Sequence, residues 1–482
     1  MSLLNRLAVV AGLTVGVSAA GLAVAAEPDV VVSTIGSGFS KYGTKNVGTA
    51  QSPVLVTGYA VTTVSCNIGT DLAEWFQNNN QHPVIGTQMY RLHNGRFEQI
   101  GMNWLKHGFC AADAPQCTNL GPAGSAYAPN GSCDWLGLYA TDTYSTGLNG
   151  QQSLCGPRSE VNPATGVFPY PYQLNWGLSG DCVYKRLQIF NSDVDPANYA
   201  GGRYFVEVHY VTTDEGTFNR ANNASYREAI VGTLSNGSQA GSCGSSTQGY
   251  GLSFSGSTVP LKPAIDAWAT LDVAVRSSTV DIAGDGRIKV SSKATDLGGG
   301  NWSYEYAVYN HNSHRGVGSF SIAKNSNPAV TFSSIGFHDV AYHSGEPYDG
   351  TDWVPSLEAS TLSWATVPFD TNPNANALRW GTLYNFRFVC NQPPTTGAVT
   401  LGLFRTGLPG SVEAAGLHIP IMPAELCPAD FNQSGGAPTV EDIFDFLAAY
   451  FNSAAAADFN GVGGVTVQDI FDFVAAYFTA CP

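Results

Sequence analysis

The stretch that decides the fold class of this chain is Tyr204-Phe205-Val206-Glu207-Val208-His209-Tyr210-Val211. Residues 204, 206, 208 and 210 form an apolar set that alternates with the other four, which is the period of a half-buried β-strand. The same rhythm returns, between turns rich in Gly and Pro, at residues 268–275, 302–309, 320–323, 383–389 and 399–404. Short strands at this spacing are typical of sandwiches and barrels, so we predict a mainly β protein.

Composition divides the chain into three parts. A Gly- and Ser-rich segment at 235–258, followed by Pro260 and Pro263, predicts a boundary near residue 262. We expect a β-rich, disulfide-containing domain at 27–262, a β-sandwich domain of immunoglobulin-like or jelly-roll type at 263–422, and a small all-α module at 427–482.

The first 26 residues are typical of a secretory signal peptide. Arg6 ends a short positive region, a stretch of apolar and small residues follows at 7–24, and Ala25-Ala26 offers a cleavage site. The alternative is a membrane anchor, but no basic stop-transfer cluster follows, and no later run is apolar enough to span a membrane. We therefore expect a secreted chain with no transmembrane segment after cleavage.

Ten cysteines in an exported chain favour disulfides over metal sites, because export leads to an oxidising compartment and the spacing lacks paired CxxC clusters. One sequence does not fix the connectivity. The local pairs that we expect are Cys110–Cys117, Cys133–Cys155 and Cys182–Cys243.

The chain carries few charges, and acids outnumber bases. Only 12% of the residues are charged, and the formal net charge is −15. Nucleic-acid-binding proteins need a basic face, so the composition argues against that class of partner. From residue 427 onward there are seven acids and no Lys or Arg, which makes the C-terminal module itself acidic.

The C-terminal module contains one loop-and-helix unit twice. Asp430-Phe431-Asn432 precedes apolar residues at helical spacing over 443–451, and Asp458-Phe459-Asn460 precedes their copy over 470–478. Neither helix could bury so many aromatic side chains alone. We therefore expect two helices packed face to face.

Each predicted helix has a capping signal at its start. Thr439 and Thr466 each stand three residues before an aspartate, Asp442 and Asp469 respectively. This spacing indicates a capping box, in which each side chain of the pair satisfies a free backbone N–H group of the first turn.

Both loops carry oxygen-bearing residues at the odd positions of an EF-hand-like calcium loop. In the second loop, positions 1, 3, 6, 9 and 12 are Asp458, Asn460, Gly463, Thr466 and Asp469. Gly464 offers a backbone carbonyl at position 7, whereas Val462 removes the usual side-chain ligand at position 5.

The first loop is one residue longer than the second. Asp430, Asn432, Ser434 and Gly435 are in register with the calcium-loop pattern. The extra residue after them leaves either Glu441 or Asp442 to close the site.

With Asp-Phe-Asn and Asp-Ile-Phe-Asp-Phe in both copies, residues 427–481 resemble a dockerin of the aromatic-rich type at the C-termini of exported planctomycete proteins. The resemblance implies docking through a helix face onto an extracellular scaffold or a cell-surface receptor. It also implies Ca²⁺ ligation by Asp430, Asn432, Ser434, Asp442, Asp458, Asn460, Gly464 and Asp469. The alternative for each loop is a purely structural helical hairpin.

Flanking cysteines are also seen in that type of module, and here Cys427 and Cys481 flank the repeat. Our hypothesis is that they form a disulfide, which would stabilise the module by roughly 4 kcal/mol and make its folding partly independent of calcium.

The body carries no motif that fixes a reaction. Residues 91–109, 156–163 and 377–388 resemble exported planctomycete proteins that are uncharacterised, so this likeness supports the architecture and contributes no chemistry. Three further segments contain His or acidic residues. We expect a turn at 311–314, a polar surface loop rather than a calcium loop at 338–353, and a hairpin turn at 281–286.

The catalytic candidates are Glu160, Glu207 and His209, and an enzyme site would also draw on His107 and Arg158. Glu207 and His209 stand two apart on a strand, so both face one side and could form a proton-transfer or metal site. The alternative is a solvated strand face, or a histidine satisfied by a neighbouring carboxylate.

These observations favour a secreted, non-catalytic binding or structural protein, attached through its C-terminal module and directed at polysaccharide or envelope material. The alternative is a tethered polysaccharide-degrading enzyme, either a hydrolase or a lyase. A hydrolase needs two carboxylates roughly 5 to 10 Å apart in one cleft. Glu160 and Glu207 are the pair to test first.

Overall fold

The computed structural model describes residues 26–112, 114, 117, 120–121, 132–178, 180–217, 219–243, 247–324, 329–421, 428–432 and 438–479. The predicted signal peptide, apart from Ala26, lies outside these residues, and so do Ser434, Gly435, Cys427 and Cys481.

Strands dominate the chain, which confirms the mainly β prediction. In chain order they are β1 (Val30–Asn46), β2 (Leu55–Asn67), β3 (Ala73–Glu74), β4 (Val84–His93), β5 (Arg96–Met102), β6 (Leu105–His107), β7 (Trp135–Leu136), β8 (Thr141–Tyr144), β9 (Cys155–Gly156), β10 (Leu187–Phe190), β11 (Arg203–Val211), β12 (Ala224–Ser235), β13 (Gly249–Val259), β14 (Arg276–Asp281), β15 (Arg287–Gly298), β16 (Asn301–Asn310), β17 (Val317–Ala323), β18 (Phe332–His338), β19 (Val354–Leu357), β20 (Thr361–Ala365), β21 (Thr382–Cys390), β22 (Pro394–Leu403) and β23 (Ser411–Pro420). The α-helices are α1 (Thr146–Asn149), α2 (Asn191–Val194), α3 (Asp266–Leu271), α4 (Val440–Phe451) and α5 (Val467–Tyr477).

The N-terminal sheet runs in the order β1-β2-β10-β5-β4-β11-β12-β13, with β6, β8 and β9 paired at its side. Its two ends meet, because Ile35 N donates to Thr258 Oγ1 (2.9 Å) and the rings of Phe39 and Phe254 lie 5.0 Å apart. The sheet therefore curls around its own core, to which Val206 of β11 contributes.

The second β-unit is a sandwich of two five-stranded sheets. One has the order β14-β15-β16-β21-β18 and the other β19-β20-β17-β22-β23. Phe320 and Phe386 stack between the sheets with ring centroids 4.3 Å apart. The strands predicted at 302–309, 320–323, 383–389 and 399–404 are confirmed, and they lie in β16, β17, β21 and the second half of β22. The predicted turn at 281–286 is confirmed as the hairpin between β14 and β15.

Residues 268–275 do not form the strand that the sequence predicts. They begin inside helix α3, in which Ala267 and Trp268 are buried. Successive side chains of a strand point to opposite faces, so two consecutive buried residues do not fit the predicted alternation. Beyond the helix, Val273 is fully exposed at 100%.

The N-terminal sheet and the sandwich share a buried interface. One cluster draws side chains from both and from α3: Tyr90, Phe97, Phe205, Trp268, Tyr309 and Leu383. Beside it, the Arg96 guanidinium contacts both carboxylate oxygens of Glu305 at 2.6 and 3.0 Å. Asn385 Nδ2 also donates to Phe97 O at 2.8 Å. Polar and apolar contacts therefore both join the two β-units.

This interface corrects the prediction that β11 is half-buried. Val206 and Val208 belong to the N-terminal core, whereas Phe205 and Glu207 are buried on the opposite side of the strand. Arg203 is the exposed residue of the strand. The sandwich covers the second face, which a local sequence pattern cannot show.

Three disulfides are present among the described residues, as expected of a chain folded in an oxidising compartment. The prediction of Cys182–Cys243 is confirmed. The predictions of Cys110–Cys117 and Cys133–Cys155 are wrong, since the observed pairs are Cys66–Cys117 and Cys110–Cys133. Cys155 and Cys390 are buried free thiols. Cys66 lies at the end of β2, and the fold brings it to its partner across 51 residues, a proximity that local spacing does not encode.

Candidate functional site

Helices α4 and α5 pack through their aromatic side chains, as predicted. Phe446 and Phe473 stand at equivalent positions, are each 1% exposed, and stack in parallel with ring centroids 4.1 Å apart. The rings of Phe431 and Phe459, from the two loops, pack edge-on against Phe446. The repeat in the sequence is thus a repeat in space, with one shared core.

Both predicted capping boxes are present. The Asp442 carboxylate accepts hydrogen bonds from Thr439 N (2.7 Å) and Thr439 Oγ1 (2.9 Å). Asp469 accepts the equivalent bonds from Thr466 N (2.7 Å) and Thr466 Oγ1 (3.0 Å). The bond from Thr466 N is the largest influence that holds the pKa of Asp469 below its usual value. Both aspartates therefore stabilise helix starts.

The same aspartates also tie the loops to the helices. Asn432 N donates to Asp442 Oδ1 at 3.1 Å, and Asn460 N donates to Asp469 Oδ1 at 3.2 Å. Asp442 is therefore the counterpart of Asp469, whereas Glu441 is exposed. This geometry places Asp442 at the closing position of the first loop, in spite of the extra residue.

The second loop contains a tight turn and one buried carboxylate oxygen that accepts no hydrogen bond from the described residues. Gly463 and Gly464 have φ angles of +82° and +74°, which suit a tight turn, and Oδ1 of Asp458 is buried without a hydrogen-bond partner. In contrast, Asn460 Oδ1 accepts from Val462 N (2.9 Å), and both oxygens of Asp469 accept hydrogen bonds. Across the described ranges, no three His, Cys, Asp or Glu side chains are grouped to hold a metal ion. In this arrangement Asp469 serves as a helix cap, and Oδ1 of Asp458 is the oxygen that would be left for an ion.

Each of the two helices also has an exposed apolar stripe. Phe444 and Phe451 of α4 are 65% and 78% exposed, and their counterparts Phe471 and Phe478 are 64% and 81% exposed. Val440 and Val467 extend each stripe by one turn at the start of its helix. We call the six side chains of the two stripes the aromatic face. Exposed apolar surface of this kind costs free energy in water and is typical of interaction sites.

In the body, the structure brings Glu207 and His209 together on one face of β11, but in a buried place. The Glu207 carboxylate accepts hydrogen bonds from Tyr309 Oη (2.6 Å) and from Ala264 N (2.6 Å). Burial raises the pKa of Glu207 to about 7. The expectation of a solvated strand face is therefore wrong, and the carboxylate links the N-terminal sheet to the sandwich.

His209 is stacked on His311 of the sandwich, with ring centroids 4.5 Å apart. Burial holds the pKa of both imidazoles below the usual histidine value, to about 3 for His311. Neither ring nitrogen of His209 has a hydrogen-bond partner in the part of the chain that the structure describes. The described residues therefore provide no carboxylate that accepts a hydrogen bond from His209, contrary to the alternative drawn from the sequence.

Glu160 has different partners from Glu207. Its carboxylate accepts from Gln173 N at 2.9 Å. Arg158, from the same short helical turn, is buried, and its Nε donates to Asn103 O at 2.7 Å. The ring of His107 stacks on the ring of Tyr172, with centroids 3.5 Å apart. After burial, the charge of Arg158 is a further influence on the pKa values of Glu207 and His209 and lowers both, so the structure brings these three candidates near one another.

The polar surface loop predicted at 338–353 is confirmed in part: residues 339–353 form a loop in which 349–352 are exposed, but its middle is packed against the N-terminal part of the chain. His343 Nε2 lies 2.8 Å from Met102 O, and Glu346 accepts hydrogen bonds from Arg158 N (2.5 Å) and Ser159 N (3.3 Å). The segment packs on the N-terminal sheet, so its polar residues serve the interface. Sequence reasoning missed this role, and also missed Tyr309 as a partner of Glu207, because the partners lie about 100 or more residues apart.

Comparison with known proteins leaves the family open. No protein-family model matches the chain, and no curated protein matches it. Among solved structures, the serine-rich repeat adhesion glycoprotein Srr1 from Streptococcus agalactiae is similar over 80% of this chain and 97% of its own, at 8% identity and a TM-score of 0.18. Within the described ranges, no helix is long and apolar enough to cross a membrane.

Proposed function

We propose that this chain is a secreted, non-catalytic binding or structural protein that its C-terminal helix pair attaches to an extracellular or cell-surface assembly. The observation that carries the proposal is the aromatic face, in which four phenylalanines are each more than 60% exposed. Aromatic side chains dominate the binding energy of protein interfaces, and their exposure in duplicate is hard to reconcile with a free surface.

The charge of the module indicates the chemistry of its partner. Residues 427–482 contain seven acids and no Lys or Arg, and Glu441 and Asp445 are exposed on α4. The complementary surface is an apolar groove bordered by basic side chains. We therefore propose a protein partner, an extracellular scaffold or a cell-surface receptor, with calcium as the ion that the two loops would take.

The enclosure of Glu207 and His209 supports a non-catalytic body. A glycosidase needs two carboxylates that reach one sugar, whereas Glu207 is fully buried between the two β-units. We propose polysaccharide or envelope material as the target of the body. Glycan-array binding and reducing-sugar release, measured in parallel on the full chain, test this: binding without release supports the proposal, and release overturns it.

Attachment is tested by cell fractionation. The full chain and a chain that lacks residues 427–482 are each expressed with the signal peptide. We expect the full chain in the envelope fraction and the truncated chain in the medium. Equal partition of the two chains would contradict the proposed role of the module.

A further inference from the structure

The loop between β11 and β12, described at 212–217 and 219–223, contacts the beginning of β1. Asn219 Nδ2 donates to Pro28 O at 2.9 Å, and Asn222 Nδ2 donates to Asp29 Oδ2 at 3.2 Å. The backbone N–H of Val30 donates to the Glu215 carboxylate. These contacts bring acidic groups from two distant segments to one buried junction.

Oxygen atoms without partners accumulate at this junction. Asn223 is fully buried, and its Nδ2 donates to Glu215 Oε2 at 2.6 Å, but its Oδ1 has no hydrogen-bond partner among the described residues. Oδ1 of Asp29, a side chain that is 9% exposed, also has no hydrogen-bond partner among these residues. Three further oxygens of the same loop, on Thr213, Asp214 and Asn222, have no hydrogen-bond partner in the described part of the chain.

The acids of the junction have no direct basic partner. None of Asp29, Asp214 and Glu215 forms an ion pair with Lys or Arg in the described part of the chain. Arg220 lies in the same loop and interacts electrostatically with Glu215 and Asp214, but its guanidinium donates to backbone carbonyls, among them Ala164 O at 3.1 Å. A cation would balance these charges and occupy the free acceptors.

We propose that Asp29, Glu215, Asn222 and Asn223 bind a hard divalent cation of the calcium type, at a site separate from the C-terminal loops. Carboxylate and amide oxygens are ligands that calcium accepts, and soft ligands are missing from the set. Within the ranges that the structure describes, no three His, Cys, Asp or Glu side chains are grouped to hold a metal ion, so the proposed ligand set combines two carboxylates with two amide oxygens. The bound cation would fasten the first strand to the β11–β12 loop.

The rival is a junction without a cation, in which Glu215 is protonated and serves as a neutral hydrogen-bonding group. The two accounts differ in what they predict for Glu215→Gln. A neutral Glu215 tolerates this isosteric change without any dependence on calcium. A cation ligand does not, because glutamine lacks the charge.

Calcium titration of the full chain tests the proposal. In a background of Asp430→Ala and Asp458→Ala, which weakens the C-terminal loops, calorimetry should still detect one calcium ion per chain at the millimolar affinities of extracellular sites. Adding Asp29→Asn and Glu215→Gln should weaken this binding by about tenfold or more. The matched control, Asp71→Asn and Asp296→Asn, changes two exposed acids and should leave it unchanged.

Asn222→Asp keeps the test decisive if the double variant fails to fold. It adds a carboxylate to the ligand set, so the proposed site should bind calcium more tightly. The proposal is overturned if the background variant binds no calcium, or if Asn222→Asp loses stability and gains no affinity.

Discussion

The contact between Phe446 and Phe473 holds the C-terminal module together, and Phe446→Ala should unfold it. Phe446 is 1% exposed and is contacted by the rings of Phe431, Phe459 and Phe473. Truncation of a buried phenylalanine costs about 3 to 5 kcal/mol. A unit of about 50 residues is stable by roughly 3 to 8 kcal/mol. The substitution therefore removes most of the stability of the module.

Hydrogen exchange followed by mass spectrometry measures this loss locally, because it reports the amides of α4 and α5 separately from those of the body. We expect the protection of residues 440–477 to fall by at least two orders of magnitude in Phe446→Ala, in line with about 3 kcal/mol. The body should keep its protection.

Phe444→Ala is the matched control, since it removes the same ring from the exposed side of the same helix. A surface substitution of this kind changes stability by about 0.5 kcal/mol or less. If Phe446→Ala and Phe444→Ala have the same effect on exchange, the packing of the two helices is not as described.

Three further predictions concern the loops and the body. Calcium should increase the protection of residues 458–469 over that in a chelator, and Asp458→Asn should abolish the increase; no effect of calcium in the wild type would refute calcium ligation by this loop. Burial raises the pKa of Glu207 from 4.5 to about 7 in the folded state. The free energy of unfolding should therefore fall by roughly 3 kcal/mol as the pH rises from about 4.5 to about 7. The difference in this free energy between wild type and Glu207→Gln should vary with pH over the same window, and a constant difference would count against the buried carboxylate. Replacing Cys182 and Cys243 by alanine opens a covalent link across 61 residues and should lower the unfolding free energy by roughly 4 kcal/mol; unchanged urea midpoints would show that the bridge does not form.

The parts of the fold that depend on local pattern could be predicted from the sequence. The strands of the sandwich, the hairpin at 281–286 and both helix caps depend on residues within one element or turn. Helices α4 and α5 followed from the spacing of aromatic residues and from the repeat itself. In each case the physical cause lies within a few residues of its effect.

The incorrect predictions concern features that depend on contacts between residues far apart in the sequence. The burial of Glu207 depends on Tyr309, which is 102 residues away, and the contact of Glu346 with Arg158 spans 188 residues. The partners of Cys66 and Cys110 depend on how β2 and its following loops fold together. In α3, burial of Trp268 in the interface between the β-units accompanies a helix where alternation predicted a strand. Long-range packing decided each of these outcomes.

The sequence pattern predicted the apolar stripe of each helix, but it did not predict which part of the stripe is exposed. The sequence shows one broad apolar stripe on each helix, and the structure divides it into a buried part around Phe446 and an exposed part around Phe444. The division follows from which side of α4 meets α5. A sequence repeat alone does not reveal that half of the stripe is available to a partner.

The most direct test of attachment is the binding of purified protein to the envelope fraction of the producing cells. Four changes, Phe444→Ser, Phe451→Ser, Phe471→Ser and Phe478→Ser, remove the exposed rings and leave the stack of Phe446 on Phe473 intact. Ala448→Ser and Ala475→Ser alter exposed, equivalent positions of the same helices as a control. We predict saturable binding of the wild type and of the control, and a loss of binding in the four-fold variant while exchange protection of α4 and α5 is kept. Undiminished binding of that folded variant would contradict attachment through the aromatic face.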